Sequence, residues 1–430
     1  MRAWPPDRVA EAAGARLVAG AAAGGPERVT IDSRDVRAGD LFVGLRGANV
    51  DGGAFACQAL DAGAWGVLVG PGHVSGADRG VVLEADDPLA ALGALARAWR
   101  RALGAQVIGV TGSTGKTSTK DLLAAMVATA RRVTATAQNL NTEIGLPLTI
   151  LGAPEGTEVL VLEMAMRGAG QIGELGAIAE PDVGVITNIG PVHLEHLGTL
   201  EAIAAEKAAL IAALRPGGTA VVPAAEPLLA PHLRADVRIV TFGPGGDVAD
   251  LGDVELPFTS AHMRRNALAA LAAARAVGVE PHGRIDVRLS ARRGQQIELP
   301  GPLIVLDDCY NANPMSMRAA LDELAATAGG RRVAVLGDML ELGPDERRFH
   351  EEIGAHAAAR NVDVLVTVGP RAAHMAGPFG GETHAVADAA AAADLVPGIV
   401  QPGDTVLVKA SRGVGLEAVT EALQATAATT

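Results

Sequence analysis

Cysteine is almost absent from the sequence. The 430 residues contain two cysteines, Cys57 and Cys309, which lie far apart along the chain. Their separation matches no metal-binding spacing, so a zinc site built from cysteine pairs is excluded. Such low cysteine usage is typical of a protein from a reducing compartment, and we therefore expect a cytoplasmic location.

Basic residues are also in short supply. The chain has 36 Lys and Arg residues against 49 Asp and Glu residues, which gives a formal net charge of −13. A nucleic-acid-binding surface needs a basic face that neutralises phosphates, so we expect no nucleic-acid partner. Nucleotide binding remains open, because one local loop is enough to hold a phosphate in an acidic protein.

Long apolar segments are missing as well. Residues 1–20 include Glu11 and two prolines and lack the continuous apolar stretch of a secretory signal. The Ala-rich stretch 387–393 is too short to span a bilayer and is typical of a helix. We therefore expect no membrane insertion.

Short apolar runs alternate with Ala- and Leu-rich helical patterns along almost the whole chain. Continuous apolar strands separated by helices predict an α/β fold with parallel sheets covered on both faces. The length predicts two or three domains, and we divide the chain into segments 1–102, 103–290 and 291–430. The predicted strands are 67–69, 107–110, 159–162, 183–186, 220–222, 303–306, 333–336, 364–368 and 405–408.

A glycine-rich turn follows the predicted strand 107–110 and precedes the helical run 120–127. Glycines let backbone N–H groups surround phosphate oxygens, and the helix N-terminus adds a favourable dipole. We expect Lys116 to reach the β- and γ-phosphates and the Thr117 hydroxyl to bind Mg²⁺. Because Val110 stands where the general motif has its first glycine, the loop is a shortened variant. The pattern favours a nucleotide site over a plain strand–helix turn, and its residues are Gly112, Ser113, Thr114, Gly115, Lys116, Thr117 and Ser118.

Polar residues also follow two neighbouring predicted strands. Glu163 comes directly after strand 159–162, and His193 and His196 follow strand 183–186. Residues just beyond the strands of an open α/β sheet line the ligand crevice, so the pattern favours Glu163 as a Mg²⁺ ligand over a solvated strand-end residue. The two histidines lack the further ligands that zinc requires, and His193 taken alone is typical of a structural residue.

Local pattern assigns no special role to Lys207 or Asn266. Lys207 lies in the helical stretch 200–214 and, taken alone, is typical of a solvated surface residue. Asn266 is expected to open another helix, where it would be a cap or a surface amide.

The third segment has its own polar cluster. Strand 303–306 leads into 307–313, which holds two carboxylates, two asparagines and the only tyrosine of the chain. The pattern leaves two interpretations open, a binding site or an Asx-rich turn before a helix that begins near Met315. Lys409 and Arg412 lie near a Gly-x-Gly turn that lacks the full dinucleotide fingerprint, and they are either anion-binding residues or rim charges.

Together these segments resemble the Mur ligase family over nearly the whole chain. At the N-terminus, Gly53 stands where the family has a histidine, and in the central segment Thr142 stands where many members have asparagine. Segments 308–314 and 336–343 are similar to those typical of the branch that adds D-alanyl-D-alanine. The other segments that carry the resemblance are 32–34, 39–42, 51–52, 112–117, 139–145, 163–168 and 187–198.

The resemblance implies a three-domain α/β architecture. Segment 1–102 would bind the UDP-muramoyl substrate, 103–290 would be a P-loop ATP-binding domain with a parallel sheet, and 291–430 would be Rossmann-like. It also implies a cytoplasmic monomer that uses ATP and Mg²⁺. A site assembled from three domains predicts that the domains close on the substrate.

The resemblance further implies a reaction in peptidoglycan-precursor synthesis. ATP would phosphorylate the terminal carboxylate of UDP-N-acetylmuramoyl-tripeptide, and the amine of D-alanyl-D-alanine would attack the acyl phosphate to form an amide. Such chemistry needs positioning and charge neutralisation rather than an enzyme nucleophile. The alternatives are a related ligase that adds a different amino acid, a folyl polyglutamate ligase, and a non-catalytic nucleotide-dependent switch.

Individual residues receive roles from the same resemblance. The implied catalytic residues are Lys116, His193 and Lys207. The magnesium-site positions are Thr117, Glu163, His193 and Lys207, the last as a carbamate made with CO₂. Besides the phosphate loop, the ATP-binding positions are Asn266, Arg293 and Asp308. The expected substrate-binding residues are Ser33, Arg34, Asn141, Arg167, Tyr310 and Asn313.

Overall fold

The computed structural model of the protein describes residues 1, 3–73, 80–258 and 260–429. Three main β-sheets follow one another along this part of the chain, and helices pack on their faces. Every strand predicted from an apolar run is present, and the α/β class with parallel sheets is confirmed. Among the helices of these ranges, none combines the length and the apolar character needed to cross a membrane.

The first sheet lies within residues 16–84. Its strands are β1 (Arg16–Ala19), β2 (Arg28–Thr30), β3 (Asp40–Val43), β4 (Gly66–Val69) and β5 (Val81–Glu84). The helices are α1 (Pro6–Ala13), α2 (Ala56–Asp61) and α3 (Pro88–Leu103), with a 3₁₀ turn at Gly52–Phe55. The strand order is β1-β5-β4-β3-β2, in which β1 is antiparallel to β5 and the other neighbours are parallel.

The second sheet is the centre of the molecule and is parallel throughout. Its strands are β6 (Gln106–Thr111), β7 (Val133–Ala135), β8 (Val159–Glu163), β9 (Val183–Ile186), β10 (Thr219–Pro223) and β11 (Arg238–Phe242). Its helices are α4 (Lys116–Ala128), α5 (Gly145–Leu151), α6 (Gln171–Ala179), α7 (Leu194–Leu197), α8 (Leu200–Ala212) and α9 (Ala261–Ala276), with a 3₁₀ segment at Pro227–His232. The order is β11-β10-β9-β6-β8-β7. Strands β12 (Val254–Glu255) and β13 (Gly283–Arg284) form a separate two-stranded parallel sheet.

The third sheet carries the C-terminal part of the chain. Its strands are β14 (Gln295–Leu299), β15 (Leu303–Asp307), β16 (Arg332–Gly337), β17 (Val364–Val368), β18 (Glu382–Val386) and β19 (Thr405–Lys409). Its helices are α10 (Pro314–Thr327), α11 (Glu346–Ala359), α12 (Ala376–Phe379), α13 (Ala389–Ile399) and α14 (Glu417–Thr429), with 3₁₀ turns at Gly343–Asp345, Ala372–Met375 and Arg412–Val414. The order is β14-β15-β19-β16-β17-β18, and only the β14–β15 pair is antiparallel.

The central sheet is buried on both faces because its inner strands, β6, β8, β9 and β10, are largely apolar. Successive side chains of a strand point to opposite faces, so Val107 joins one core while Ile108 joins the other. Helices α4 and α9 cover one face, and α5, α6 and α8 cover the other together with α3. The ring of Trp99 on α3 packs edge to face on Trp4, at 5.4 Å between centroids, and its indole N–H donates to the carbonyl of Ala153 at 3.3 Å, which links the N-terminal and central parts.

The strand order of the central sheet determines which edge of the sheet can form a binding site. Strand β6 lies between β8 and β9, and all three are parallel, so the loops after them meet at one edge. This edge of the sheet holds the phosphate loop, Glu163 and the segment that leads to His193.

The expectation that Asn266 opens a helix is wrong. Helix α9 begins at Ala261, and Asn266 lies in its interior and is buried. The five residues before it, 261–265, contain neither glycine nor proline, so nothing in them stops the helix from starting earlier. For the same reason α4 begins at Lys116 rather than near residue 120.

Candidate active site

The phosphate loop owes its shape to two glycines. Gly112 and Gly115 have φ angles of 147° and 75°, which side-chain-bearing residues rarely adopt. A Cβ at Gly112 would lie 1.9 Å from Oγ1 of Thr187, and one at Gly115 would lie 2.4 Å from Oδ1 of Asn266. The glycines are therefore required both for the turn and for the close approach of neighbouring elements.

Hydrogen bonds connect the phosphate loop to the segment that follows β9. The backbone N–H of Thr114 donates to Oδ1 of Asn188 at 2.9 Å, and the hydroxyl of Thr187 donates to the carbonyl of Thr114 at 2.6 Å. The hydroxyl of Ser113 donates to the carbonyl of Gly190 at 3.0 Å. Sequence reasoning did not assign Thr187 or Asn188 to the site, although their position directly after a buried strand was a usable signal.

Lys116 lies at the start of α4 and folds back over the loop. Its ammonium donates to the carbonyl of Gly112 at 2.9 Å. Burial lowers the pKa of Lys116, the carboxylate of Glu163 opposes this shift, and the guanidinium of Arg293 adds to it. A negatively charged group bound beside Lys116 would offset its desolvation, which is what a phosphate would do.

A cavity of about 180 Å³ opens between the phosphate loop and the C-terminal sheet. It brings together many of the predicted ATP-binding residues, namely Ser113, Thr114, Gly115, Lys116, Thr117, Ser118, Asn266, Arg293 and Asp308. Asn313, expected to bind substrate, also lines it. Further lining residues that sequence reasoning did not select are Asn188, His262, Arg265 and Asn311.

Asp308 is held by Lys409. The ammonium of Lys409 forms a salt bridge with Oδ2 of Asp308 and donates to the carbonyl of Asn311 at 3.0 Å. Lys409 is 1% exposed, so the interpretation of this residue as a rim charge is wrong. Its strand, β19, lies in the middle of the sheet next to β15, and this neighbour relation brings the two side chains together.

Tyr310 and Asn313 shape the turn after β15. The guanidinium of Arg293 lies over the Tyr310 ring at 3.9 Å from its centroid, and that of Arg412 lies at 5.3 Å. Asn313 is the N-cap of α10, and its side chain accepts from the backbone N–H of Ser316 at 3.0 Å. The segment is therefore an Asx turn and a cavity wall at the same time, so the two interpretations of the sequence are compatible.

Glu163 is 1% exposed, and the interpretation as a solvated strand-end residue is wrong. The side-chain amide of Asn141 donates to its Oε1 at 2.8 Å. Its Oε2 is buried and has no hydrogen-bond partner within the described ranges. A buried carboxylate oxygen without a partner is costly, and a cation beside it would remove that cost.

Lys207 is also 1% exposed, so the surface interpretation of this lysine is wrong too. Burial lowers its pKa well below the usual value, Lys116 lowers it further, and Glu206 opposes the shift. Glu206 itself accepts backbone N–H groups of Gly170 and Ile172 at 2.7 and 2.8 Å, so it is already engaged. A lysine in this setting favours the neutral amine.

His193 meets a carboxylate of the C-terminal part. Its Nδ1 forms a hydrogen bond with Oε2 of Glu341, a residue that sequence reasoning did not select. Burial lowers the pKa of His193, and Glu341 opposes the shift. Arg167 lies on the same side, with its Nε 4.0 Å from Oε1 of Glu341. In the part of the chain that the structure describes, no three His, Cys, Asp or Glu residues form a metal-binding group.

The N-terminal candidates lie outside the central cavity. Ser33 and Arg34 follow β2, and the guanidinium of Arg34 pairs with both carboxylate oxygens of Asp32 at 2.9 and 2.8 Å. At the departure from the family pattern, a Cβ on Gly53 would lie 2.6 Å from the ring of His73. The ring of His73, 3.4 Å from Asp51, thus fills the space that a side chain at position 53 would need.

Comparisons with known proteins agree with this architecture. The family models described as "Mur ligase family, catalytic domain", "Mur ligase middle domain" and "Mur ligase, glutamate ligase domain" match residues 27–102, 110–274 and 292–412. The UDP-N-acetylmuramoyl-tripeptide–D-alanyl-D-alanine ligase of Bacillus subtilis is 36% identical, and the match covers 92% of each chain.

Solved structures give the same result. MurF from Acinetobacter baumannii has a TM-score of 0.89 and 28% identity, over 99% of this chain and 100% of that chain. The MurF ligase from Thermotoga maritima, solved in complex with ADP, has a TM-score of 0.81 and 31% identity, over 94% of this chain and 98% of that chain. With matches of this extent in all three parts, the chain belongs to the Mur ligase family.

Proposed function

We propose that this chain is an ATP-dependent ligase that joins D-alanyl-D-alanine to UDP-N-acetylmuramoyl-tripeptide through an acyl phosphate. The observation that carries the proposal is the cavity in which the phosphate loop faces Asn266, Arg293 and Asp308. The curated relative from Bacillus subtilis bears the name of this activity and matches over nearly its whole length. The setting is the synthesis of peptidoglycan precursors.

The phosphate loop and its surroundings would bind ATP. The backbone N–H groups at the start of α4 and the ammonium of Lys116 offer positive charge to phosphate oxygens. Asn266 and Asp308 would contact the remainder of the nucleotide from the two sides of the cavity, and Arg293 would approach the γ-phosphate. The ADP complex of the Thermotoga maritima relative supports a nucleotide here.

Mg²⁺ fits the residues beside the loop. The unpartnered Oε2 of Glu163, the hydroxyl of Thr117 and the imidazole of His193 are donors of suitable chemistry, and a carbamate on Lys207 would add an anion. Mg²⁺ is usually held by one or two carboxylates together with substrate phosphates, so a complete protein cage is not needed. When bound, it neutralises charge on the phosphoryl group during transfer.

The chain's own residues then position and shield the reactants. Lys116 neutralises developing negative charge, and no side chain has to form a covalent intermediate. The cavity lies between the central and C-terminal sheets, so closure of these two parts would exclude water from the acyl phosphate. We assign substrate contacts to Asn141, Arg167, Tyr310 and Asn313, and contacts with the uridine end to Ser33 and Arg34.

The domain division and the state of the protein are part of the same proposal. Segments 1–102, 103–290 and 291–430 each contain one main sheet, which supports their treatment as three domains. We also propose a cytoplasmic monomer. Limited proteolysis tests the domain division, and we expect cuts near residues 102 and 290. A sedimentation measurement of mass tests the monomeric state.

One assay tests the activity. Phosphate release is measured with ATP, Mg²⁺ and UDP-N-acetylmuramoyl-tripeptide, and D-alanyl-D-alanine is compared with single amino acids and with glutamate. We expect D-alanyl-D-alanine alone to accelerate release and to appear in the product. If another amine is preferred, the chain is a different ligase of the family, and if no amine accelerates release, it is not a ligase.

A further inference from the structure

One contact between the central and C-terminal parts at this site runs through Glu341. This residue lies in the segment between β16 and α11, whereas His193 lies after β9, 148 residues earlier in the chain. The Glu341 carboxylate contacts Nδ1 of His193 through Oε2, and its Oε1 lies 4.0 Å from Nε of Arg167. The backbone N–H of Glu195 also donates to the carbonyl of Glu341, at 3.4 Å.

Both partners are held in an unfavourable backbone conformation. His193 has a φ of 54° and Glu341 a φ of 62°, in the left-handed region that residues with a Cβ rarely occupy. The segment around Glu341 is fixed by Ser411, whose Oγ accepts from the N–H of Leu340 at 2.9 Å and whose N–H donates to the carbonyl of Asp338 at 3.0 Å. Such conformations persist when the surroundings impose them, and they cluster at functional sites.

The geometry of the pair leaves one ring nitrogen available. With Nδ1 bonded to Glu341, the proton of a neutral imidazole lies on Nδ1, and Nε2 keeps its lone pair. Histidines that bind metals usually donate their other N–H to a carboxylate, which fixes the tautomer and the orientation of the ring. The same arrangement is present here, with the carboxylate supplied from across the interface.

We infer that Glu341 is a positioning residue, which holds His193 so that its Nε2 faces the Mg²⁺ site and thereby makes metal affinity depend on the approach of the C-terminal part. The inference rests on the role proposed above for His193. The inference gives segment 338–343 a role in metal binding. This role is separate from the lining of the nucleotide cavity, because Glu341 does not line that cavity.

The test measures metal binding rather than turnover alone. In the presence of a non-hydrolysable ATP analogue, the dissociation constant of Mn²⁺ is determined by electron paramagnetic resonance for the wild type, Glu341→Ala and Glu341→Gln. We expect Glu341→Ala to weaken Mn²⁺ binding by about 10- to 100-fold. Glu341→Gln keeps an oxygen that accepts from Nδ1, so we expect a smaller loss. Asp345→Ala is the matched control, because it removes a carboxylate of the same connection that pairs with Arg348.

Other outcomes overturn the inference. Wild-type Mn²⁺ affinity in Glu341→Ala would mean that the contact does not position the histidine. An equal loss in Glu341→Gln and Glu341→Ala would mean that the charge, and not the hydrogen bond, matters. Analogue affinity in EDTA, which we expect to be unchanged, reports that the variants are folded. Failure of the proposed function would be seen separately, as a wild type that releases no phosphate with any acceptor.

Discussion

The phosphate loop and the C-terminal wall of the cavity face each other but are built in different ways. The loop is local, because its glycines, Lys116 and the start of α4 lie within seven consecutive residues, 112–118. The wall is assembled from distant segments, since Asp308 and Lys409 are 101 residues apart and meet through adjacent strands. One region is recognisable from a short pattern and the other is not.

The two regions should also differ in how much they contribute to the stability of the protein. The loop is stabilised by hydrogen bonds to its own domain, from Thr187 and Asn188. The wall depends on buried charges, and a buried charge without its partner is costly. Substitutions in the loop should therefore reduce turnover and leave stability nearly unchanged, whereas substitutions of the distant charged residues should change both.

The largest effect is expected for Lys116→Ala. Loss of an ammonium at the β- and γ-phosphates should lower the rate of phosphate release by about 10³-fold, in line with the removal of a preorganised electrostatic contact. The melting temperature should stay close to that of the wild type, because the lysine is desolvated in the folded protein. Arg131→Ala, three residues beyond the end of α4, is the control. A Lys116→Ala variant with wild-type rates would remove the loop from the mechanism.

Lys207→Met should affect activity and stability in opposite directions. Activity should be lost, because no carbamate can form on methionine. The free energy of unfolding should rise by about 1 kcal/mol at pH 7 in CO₂-depleted buffer, since a buried amine is replaced by an apolar side chain. Lys207 has a lowered pKa in the folded state, so the unfolded state binds more protons and the wild type gains stability as pH rises towards 10.5.

The advantage of methionine at position 207 should accordingly be larger at pH 6 than at pH 9. Urea unfolding of both proteins at the two pH values measures it. An advantage that grows with pH would contradict the lowered pKa of Lys207 in the folded protein.

The salt bridge between Asp308 and Lys409 should give a measurable coupling free energy between the two residues. Asp308→Asn leaves the buried ammonium of Lys409 without its carboxylate, and we expect a loss of about 2 kcal/mol in the free energy of unfolding. Lys409→Met combined with Asp308→Asn should recover part of that loss. A double-mutant cycle by urea unfolding measures the coupling, and additive losses would mean that the two side chains act independently.

The smallest effect is expected at the N-terminal departure from the family pattern. Gly53→Ala places a Cβ against the ring of His73, and since that ring is the end of a movable side chain, the cost should be about 1 kcal/mol. The double variant with His73→Ala should relieve it. Gly329→Ala, with open space around its Cβ, is the control. Equal melting temperatures for Gly53→Ala and Gly329→Ala would remove the steric argument.

Local sequence patterns predicted nine of the strands and the phosphate loop because both depend on neighbours in the chain. Apolar runs form strands buried on both faces, and the glycines of the loop are dictated by its own backbone. The resemblance to the family directed attention to Lys207, whose local context did not distinguish it from a surface residue, whereas the strand-end pattern itself favoured Glu163 as a Mg²⁺ ligand. The sequence left Lys409 open between an anion-binding residue and a rim charge and did not select Glu341, because their partners lie 101 and 148 residues away.

The sequence by itself determined the α/β class, the alternation of apolar strands with helices, and the position of a nucleotide loop, since these follow from periodicity and from the conformational freedom of glycine. Tertiary structure alone decided which polar residues are buried, which carboxylate meets His193 and which lysine meets Asp308. Burial and charge pairing depend on the three-dimensional neighbours of a residue, and a linear pattern does not contain them.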